Sequence, residues 1–102
     1  MFSKNFRTYN YSLQLYKECQ KIRCSREIKD QLNRASLSVC LNIAEGSGKT
    51  SLKDRARFYE ISMGSLRETQ CILQILDKSE LNQLADVLAA HLYKLIQRPG
   101  PM

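Results

Sequence analysis

The chain has 102 residues, 43% of them hydrophobic and 25% charged, which fits one folded domain and excludes a disordered chain or a two-domain protein. Its net charge of +6 favours RNA, DNA or an acidic protein as a partner. No run approaches the roughly 20 apolar residues that span a membrane, and residues 1–10 lack the apolar core of a signal peptide. We therefore expect a cytoplasmic protein with no membrane partner and with reduced cysteines.

The first helix is predicted over residues 6–22. Its apolar side chains recur every three or four positions, which is typical of one buried helical face. These side chains are Phe6, Tyr9, Leu13 and Tyr16. Residues 23–25 predict a turn, and the Ser25 hydroxyl is placed to cap the helix that follows.

The second helix is predicted from Arg26 to Glu45. Gly46 follows it as the expected left-handed residue beyond a helix end. The buried positions again step by three and four, at Ile28, Leu32, Ala35, Val39 and Ile43. Residues 46–48 read Gly-Ser-Gly and predict a tight connection to the third helix.

The third helix is predicted from about Ser51, which forms a capping pattern with Asp54, to about Asp77. Ser79 is predicted to cap a fourth helix that runs to Arg98, before two prolines. The apolar spine of the fourth helix is Leu81, Leu84, Leu88, Leu92 and Leu95.

No strand alternation or internal repeat is present, and short connections make neighbouring helices antiparallel. The sequence therefore predicts an all-α fold, an antiparallel up-down four-helix bundle. We expect a single domain over residues 1–102, with frayed ends at about 1–5 and 99–102.

Helices two and three carry matching polar stripes. In each stripe a Glu follows an Arg eleven positions later: Arg34 and Glu45 in one, Arg57 and Glu68 in the other. Folding the two helices antiparallel about the turn at 47–50 pairs positions whose numbers sum to 102. This register predicts two polar pairs, Arg34 with Glu68 and Glu45 with Arg57.

The same register places Ser38 opposite Gly64. A glycine inside a helix costs about 1 kcal/mol relative to alanine, and close approach of the two helices there would explain it. We interpret the stripes as charges that fix helix register. A catalytic role is disfavoured because arginine is a poor general acid or base and no His or Cys lies between the carboxylates.

Residues 46–50 read Gly-Ser-Gly-Lys-Thr, like the end of a phosphate-binding P-loop. The first glycine of that motif would fall at Ile43, and a helix precedes the segment where a P-loop has a strand. We therefore predict no nucleotide hydrolysis. Two alternatives stay open: the turn holds a phosphate through its backbone N–H groups with Lys49, Lys53 and Arg55 nearby, or it is a solvated turn.

Basic residues concentrate at one end of the predicted bundle. In an up-down bundle, the start of helix one, the turn between helices two and three and the end of helix four meet at the same end. The predicted nucleic-acid-binding residues are Lys4, Arg7, Lys49, Lys53, Arg55, Lys94 and Arg98. Tyr9 and Tyr11 lie beside them and are able to stack on bases, although Tyr9 also fits the core.

The third helix is too apolar for one side of a small bundle. Its apolar residues cover about 200° of the circumference. They are Phe58, Tyr59, Ile61, Leu66, Ile72, Leu73, Ile75 and Leu76. A monomer would leave part of this surface exposed, so we expect a homo-oligomer. The alternative is a helix buried centrally among the other three.

The four cysteines are Cys19, Cys24, Cys40 and Cys71, and the single histidine is His91. No C-x-x-C pair is present, so the spacing predicts neither a metal site nor a cofactor. Cys40 and Cys71 lie in apolar helical stretches and are predicted to be small core residues.

Residues 34–68 resemble a known protein family. Asn42–Gly46 reads N-I-A-E-G and Gly64–Glu68 fits G-S-x-x-E, the most specific marks of the bacterial four-helix-bundle family encoded in 23S rRNA intervening sequences. The resemblance extends from about Tyr9 to Ile96 and implies a pentameric ring of antiparallel bundles. That family is similar to the accessory variability determinant of diversity-generating retroelements, which implies nucleic acid and a reverse transcriptase as partners. The resemblance transfers no catalytic residue.

These observations predict a non-enzymatic oligomer that binds structured RNA or DNA through its basic end. The alternative is a protein-interaction adaptor, for example a reverse-transcriptase accessory subunit, with helix three as the contact surface. An enzyme is disfavoured because the sequence offers no nucleophile–base pair and no metal cluster.

Overall fold

A computed structural model describes residues 6–100 of the chain. Four helices follow one another, α1 (Arg7–Gln20), α2 (Arg26–Ser47), α3 (Leu52–Ile75) and α4 (Ser79–Gln97), and the described residues include no strand. Each helix packs against two others, α1 and α3 both lying between α2 and α4. The predicted all-α four-helix bundle is confirmed.

Contacts between successive helices have the numbering expected of antiparallel neighbours. The Cys40 thiol lies 3.2 Å from the Ser12 carbonyl oxygen, while the Gln20 amide donates to Asn33 at 2.9 Å. Positions therefore rise along α1 as they fall along α2. Of the residues predicted to fray, 1–5 and 99–102, the structure describes only Pro99 and Gly100, which follow the end of α4 without regular structure.

The core follows the predicted stripes on α2 and α4. Leu32, Ala35, Val39 and Ile43 are buried on α2, and Ile28 is half-buried at its start. On α4, Leu88 and Leu92 are completely buried, whereas Leu81, Leu84 and Leu95 pack partly buried against the core. Burial of these periodic apolar side chains is therefore the main interaction that packs α2 and α4 into the bundle.

The buried face of α1 differs from the prediction. Tyr9, Leu13 and Tyr16 are only half-buried. The buried residues of α1 are Thr8, Ser12, Leu15 and Cys19. Small side chains allow closer packing on α2, and the Ser12 hydroxyl satisfies itself by donating to the Tyr9 carbonyl at 2.6 Å. Phe6, just before the helix, is buried as predicted.

Lys29 closes the end of α1 from the neighbouring helix. Its ammonium donates to the carbonyl oxygens of Cys19, Gln20 and Ile22 at 3.2, 2.7 and 2.5 Å. A cation at a helix C-terminus is favourable because the last carbonyl oxygens lack partners and carry partial negative charge. No local sequence pattern indicated this contact, because Lys29 lies on a different helix.

Two of the three predicted helix caps are confirmed. The Ser25 hydroxyl accepts from the Ile28 N–H at 3.4 Å, and the Ser51 hydroxyl accepts from the Asp54 N–H at 3.0 Å. Ser79 is already the first residue of α4, and Lys78 precedes it without a side-chain cap. The chain reverses earlier because Asp77 adopts a left-handed conformation with φ of 55°.

The four cysteines differ in burial, and Cys24 is half-buried. Cys19 and Cys40 are buried, and burial raises the pKa of the Cys19 thiol to about 12 and also raises the pKa of Cys40. Cys71 is exposed, so its predicted place in the core is wrong. It lies seven positions after Gly64, on the same outward face of α3.

Candidate nucleic-acid interface

The start of α1, the α2–α3 turn and the end of α4 come together at one end of the bundle, which we call the turn end. The Arg55 guanidinium, at the start of α3, lies 3.4 Å from the Pro99 carbonyl oxygen, just beyond α4. The basic residues of the turn end are Arg7, Lys49, Lys53, Arg55, Arg57, Lys94 and Arg98. Lys4, also predicted here, lies outside the described residues.

Four of these cations are exposed and uncommitted. The side chains of Arg7, Lys53, Lys94 and Arg98 form no ion pair or hydrogen bond within residues 6–100. Exposed cations of this kind bind a phosphate without first breaking an ion pair or hydrogen bond within the protein. They are the strongest candidates for contacts with a polyanion.

Arg55 is engaged inside the protein. Its Nε donates to the Lys49 carbonyl at 2.7 Å, and its Nη1 reaches the Pro99 carbonyl. The side chain is half-buried and joins the α2–α3 turn to the end of α4. Arg55 therefore helps to hold the turn end together, and two of its nitrogens, Nε and Nη1, already donate within the protein.

The α2–α3 turn does not form a P-loop-like cradle. The N–H groups of Gly48 and Lys49 already donate to the carbonyls of Glu45 and Gly46, at 3.2 and 3.1 Å. A phosphate cradle needs such groups to be unpaired and convergent. Gly48 and Lys49 are therefore closed to a phosphate, whereas the N–H groups of residues 50–53 at the start of α3 donate to no carbonyl of the described chain, and the two alternatives that the sequence left open both stand.

The predicted Glu45–Arg57 pair is not formed. Glu45 pairs instead with Lys49, with Oε2 and Nζ 3.1 Å apart, because α2 continues to Ser47 and brings Lys49 one turn beyond Glu45. The Arg57 guanidinium lies 4.6 Å from the centre of the Phe58 ring, and Lys49 Nζ lies 5.1 Å from it. Two cations thus share one aromatic ring.

Sequence reasoning had assigned Arg57 to a register-fixing pair and so missed it as a cation of the turn end. The signal that was available is the adjacency of Arg57 and Phe58 at the start of a helix rich in basic residues. Within the described residues, the Arg57 side chain has no carboxylate partner.

The other predicted pair is present at the middle of the bundle. Arg34 Nη2 lies 2.7 Å from Glu68 Oε2, and the two side chains are 63% and 43% exposed. Nearby, the hydroxyls of Ser38 and Ser65 lie 2.7 Å apart. Solvent weakens an exposed pair of this kind, so its effect is orientation more than stability.

The predicted close approach at Gly64 is wrong. A methyl group added there would meet nothing within 4 Å, because Ser65, one residue further on, is the residue that faces Ser38. A rotation of α3 by one position turns Gly64 toward solvent.

Gly46 is the glycine at a close approach, and its predicted left-handed conformation is wrong. It lies buried within α2, and no described glycine has a positive φ. A Cβ at Gly46 would lie 2.8 Å from the Tyr59 ring and 3.2 Å from the Arg55 carbonyl oxygen. The absence of a side chain at Gly46 therefore lets α3 pack against the end of α2 beneath the turn end.

Three exposed apolar side chains lie on the outer surface of α2 and α3. They are Leu37, Leu41 and Ile61, which are 40%, 57% and 43% exposed, and we call them the outer patch. Most of the apolar residues predicted on α3 are instead buried or half-buried, Tyr59, Leu66 and Leu73 completely so. Ile75 is 66% exposed at the other end of α3.

Neither of two other kinds of site is found among residues 6–100. No three His, Cys, Asp or Glu side chains lie close enough to hold a metal ion. No helix in this range has the length and apolarity needed to cross a membrane.

A family model described as 23S rRNA-intervening sequence protein matches residues 2–100, which include all four helices and the whole turn end. No curated protein matches the chain.

Proposed function

The chain belongs to the 23S rRNA-intervening sequence protein family, and from that premise we propose that it is a non-enzymatic protein that binds structured RNA or DNA through the turn end. The observation that carries the proposal is the group of four exposed, unpaired cations: Arg7, Lys53, Lys94 and Arg98. Phosphate contacts dominate the affinity of nucleic-acid-binding proteins, and these side chains supply them.

The distribution of charge supports this choice of surface. The turn end (residue 7, residues 45–57 and residues 94–98) has seven Lys or Arg and only two acids. The opposite end (residues 17–30 and 77–80), which we call the far end, has six Lys or Arg and five acids. Opposite charges largely cancel at the far end, so the turn end dominates the attraction of a polyanion.

Self-association is part of the same proposal. The outer patch leaves three apolar side chains in water, and it lies beside charges of both signs, Arg34, Glu45 and Glu68. A surface with both signs of charge is able to complement a second copy of itself. We propose a homo-oligomer through this patch, and the family resemblance implies a pentamer. Light scattering tests it: Leu41→Glu should lower the solution mass, whereas a monomeric parent chain would remove the proposal.

The binding test compares two variants with identical net charge. Lys53, Lys94 and Arg98 are changed to Glu at the turn end, and Arg23, Arg26 and Lys78 are changed to Glu at the far end. Both sets are exposed, and each change lowers the net charge from +6 to zero. Arg55 and Lys49 are left intact because they hold the turn in place.

Binding of a structured RNA is then measured by fluorescence anisotropy at several salt concentrations. The turn-end variant should lose roughly 100-fold or more in affinity at low salt and show a shallower salt dependence. The far-end variant should stay within a few-fold of the parent chain. Equal losses in the two variants would mean that only net charge matters. No binding by the parent chain would favour the adaptor role, with a protein such as a reverse transcriptase as partner.

A further inference from the structure

An open groove of about 490 Å³ lies on α3 at the edge of the turn end. Its lining residues are Lys53, Ala56, Arg57, Glu60 and Ile61. The inference that follows rests on the proposed function and concerns which part of a nucleic acid enters this groove.

The lining does not suit a phosphate group. The Glu60 carboxylate repels an anion, and the side chains of Ala56 and Ile61 offer it no hydrogen bond. A nucleobase fits better because its faces are apolar and its edges carry both donors and acceptors. Glu60 accepts from a base amino group and the Ala56 methyl group contacts the ring, while Lys53 stays available for a flanking phosphate.

Arg57 supplies the stacking surface. Its guanidinium lies over the Phe58 ring, Arg57 is one of the residues that line the groove, and within the described chain it forms no ion pair with a carboxylate. Phe58 is half-buried and has Lys49 as its second cation, so the ring is a fixed support. A planar guanidinium held on an aromatic ring stacks on bases, and it does so at less entropic cost than a free arginine side chain.

We propose that the turn end captures an unpaired nucleobase by stacking it on Arg57 in this groove. The partner is then a single strand, a loop or a bulge, since a base within a duplex is already stacked and its faces are covered. The exposed cations around the groove hold the flanking phosphates.

The test uses two RNA strands of equal length and charge, one with bases and one with abasic residues throughout. The parent chain should bind the base-containing strand about tenfold more tightly at the same salt concentration. Arg57→Lys keeps the charge and removes the planar group, so it should bring the two affinities to within about twofold and leave the salt dependence unchanged.

Arg67→Lys is the matched control. Arg67 is also exposed on α3, but its guanidinium donates to Gln70 at 2.7 Å and lies over no aromatic ring among the described residues. This variant should keep the tenfold preference. Equal binding of the two strands by the parent chain, or a preference that survives in Arg57→Lys, would overturn the stacking site while leaving the proposed phosphate contacts in place. Failure to bind either strand would also overturn the stacking site, and failure to bind the structured RNA as well would overturn the proposed function itself.

A DNA strand of the same sequence completes the experiment. Stacking alone should treat RNA and DNA alike, because both present the same ring faces. If the abasic comparison gives the same tenfold preference in both, the unpaired base is the recognised chemistry. Tighter binding of both RNA strands, with and without bases, than of the DNA strands, unaffected by Arg57→Lys, would assign recognition to the 2′-hydroxyl, against the stacking site.

Discussion

The interface between α2 and α3 has two halves that look alike in sequence and differ in structure. The proximal half, beside the turn, contains Gly46 packed on Tyr59, with Glu45 and Arg57 turned to other partners. The distal half joins α2 and α3 through the Arg34–Glu68 pair and the two serine hydroxyls, and its glycine is open to solvent. Close packing of buried residues therefore holds the proximal half together, whereas exposed polar contacts hold the distal half.

The difference has a consequence for the surface of the protein. Because the proximal half is fixed by packing, its charges are released from holding the helices together. Glu45 binds Lys49, and Arg57 lies on Phe58 at the edge of the groove. In the distal half, Arg34 and Glu68 neutralise each other. A binding site is thus more readily built at the proximal half.

The largest expected effect of a single substitution in this comparison is at Gly46. Gly46→Ala places a methyl group 2.8 Å from the Tyr59 ring and 3.2 Å from the Arg55 carbonyl oxygen. Tyr59 is completely buried and cannot move aside easily. Overpacking of this kind costs about 1–3 kcal/mol, so we expect the free energy of unfolding to fall by about 2 kcal/mol.

Urea denaturation followed by circular dichroism measures this change. A smaller, opposite contribution of about 1 kcal/mol comes from the helical preference of alanine over glycine, so a net fall of about 2 kcal/mol corresponds to an overpacking cost at the upper end of that range, about 3 kcal/mol. If Gly46→Ala were neutral or stabilising, α2 and α3 would be further apart here than the structure places them. The same variant should also weaken RNA binding, because the start of α3 carries the groove.

Gly64 gives the opposite sign. Gly64→Ala adds a methyl group into open space on the same pair of helices, so only helix propensity changes. The free energy of unfolding should rise by about 0.5–1 kcal/mol. This variant is the matched control for Gly46→Ala, and the two curves should move in opposite directions. A loss of stability at Gly64 would mean that another surface covers it in solution, which the solution mass of the same sample would reveal.

These glycines also show what a sequence can and cannot specify. The 3.6-residue periodicity defined the four helices and the buried residues of α2 and α4, because it depends only on local spacing. Antiparallel pairing of positions whose numbers sum to 102 placed Arg34 opposite Glu68, because the fixed rise per residue of a helix determines which positions lie at the same height. It failed one residue away, where the rotation of α3 decides whether Gly64 or Ser65 faces Ser38.

The candidate site was less predictable than the fold. The basic residues in the sequence and the antiparallel order of the helices were sufficient to predict that one end of the bundle carries Arg7, Lys53, Lys94 and Arg98. The engagement of Arg55 with Pro99 was not predictable, because it joins residues far apart in the chain. The position of Arg57 was not predictable either. Glu45 pairs with Lys49 and not with Arg57, and the Arg57 guanidinium lies over the Phe58 ring.

The smallest expected effect concerns the two charge pairs themselves. A double-mutant cycle on Arg34 and Glu68, each changed to Ala alone and together, should give a coupling energy of about 0.5 kcal/mol, the usual value for an exposed pair. The same cycle on Glu45 and Arg57 should give zero within error, because those side chains do not meet. Denaturation at about 1 M salt should reduce the first coupling, since screening acts strongly on exposed charges, and leave the second unchanged. A coupling energy between Glu45 and Arg57 as large as that between Arg34 and Glu68 would mean that, in solution, the Arg57 side chain moves off the Phe58 ring to pair with Glu45. The stacking surface would then be absent from the free protein, and the two halves of the interface would be alike after all.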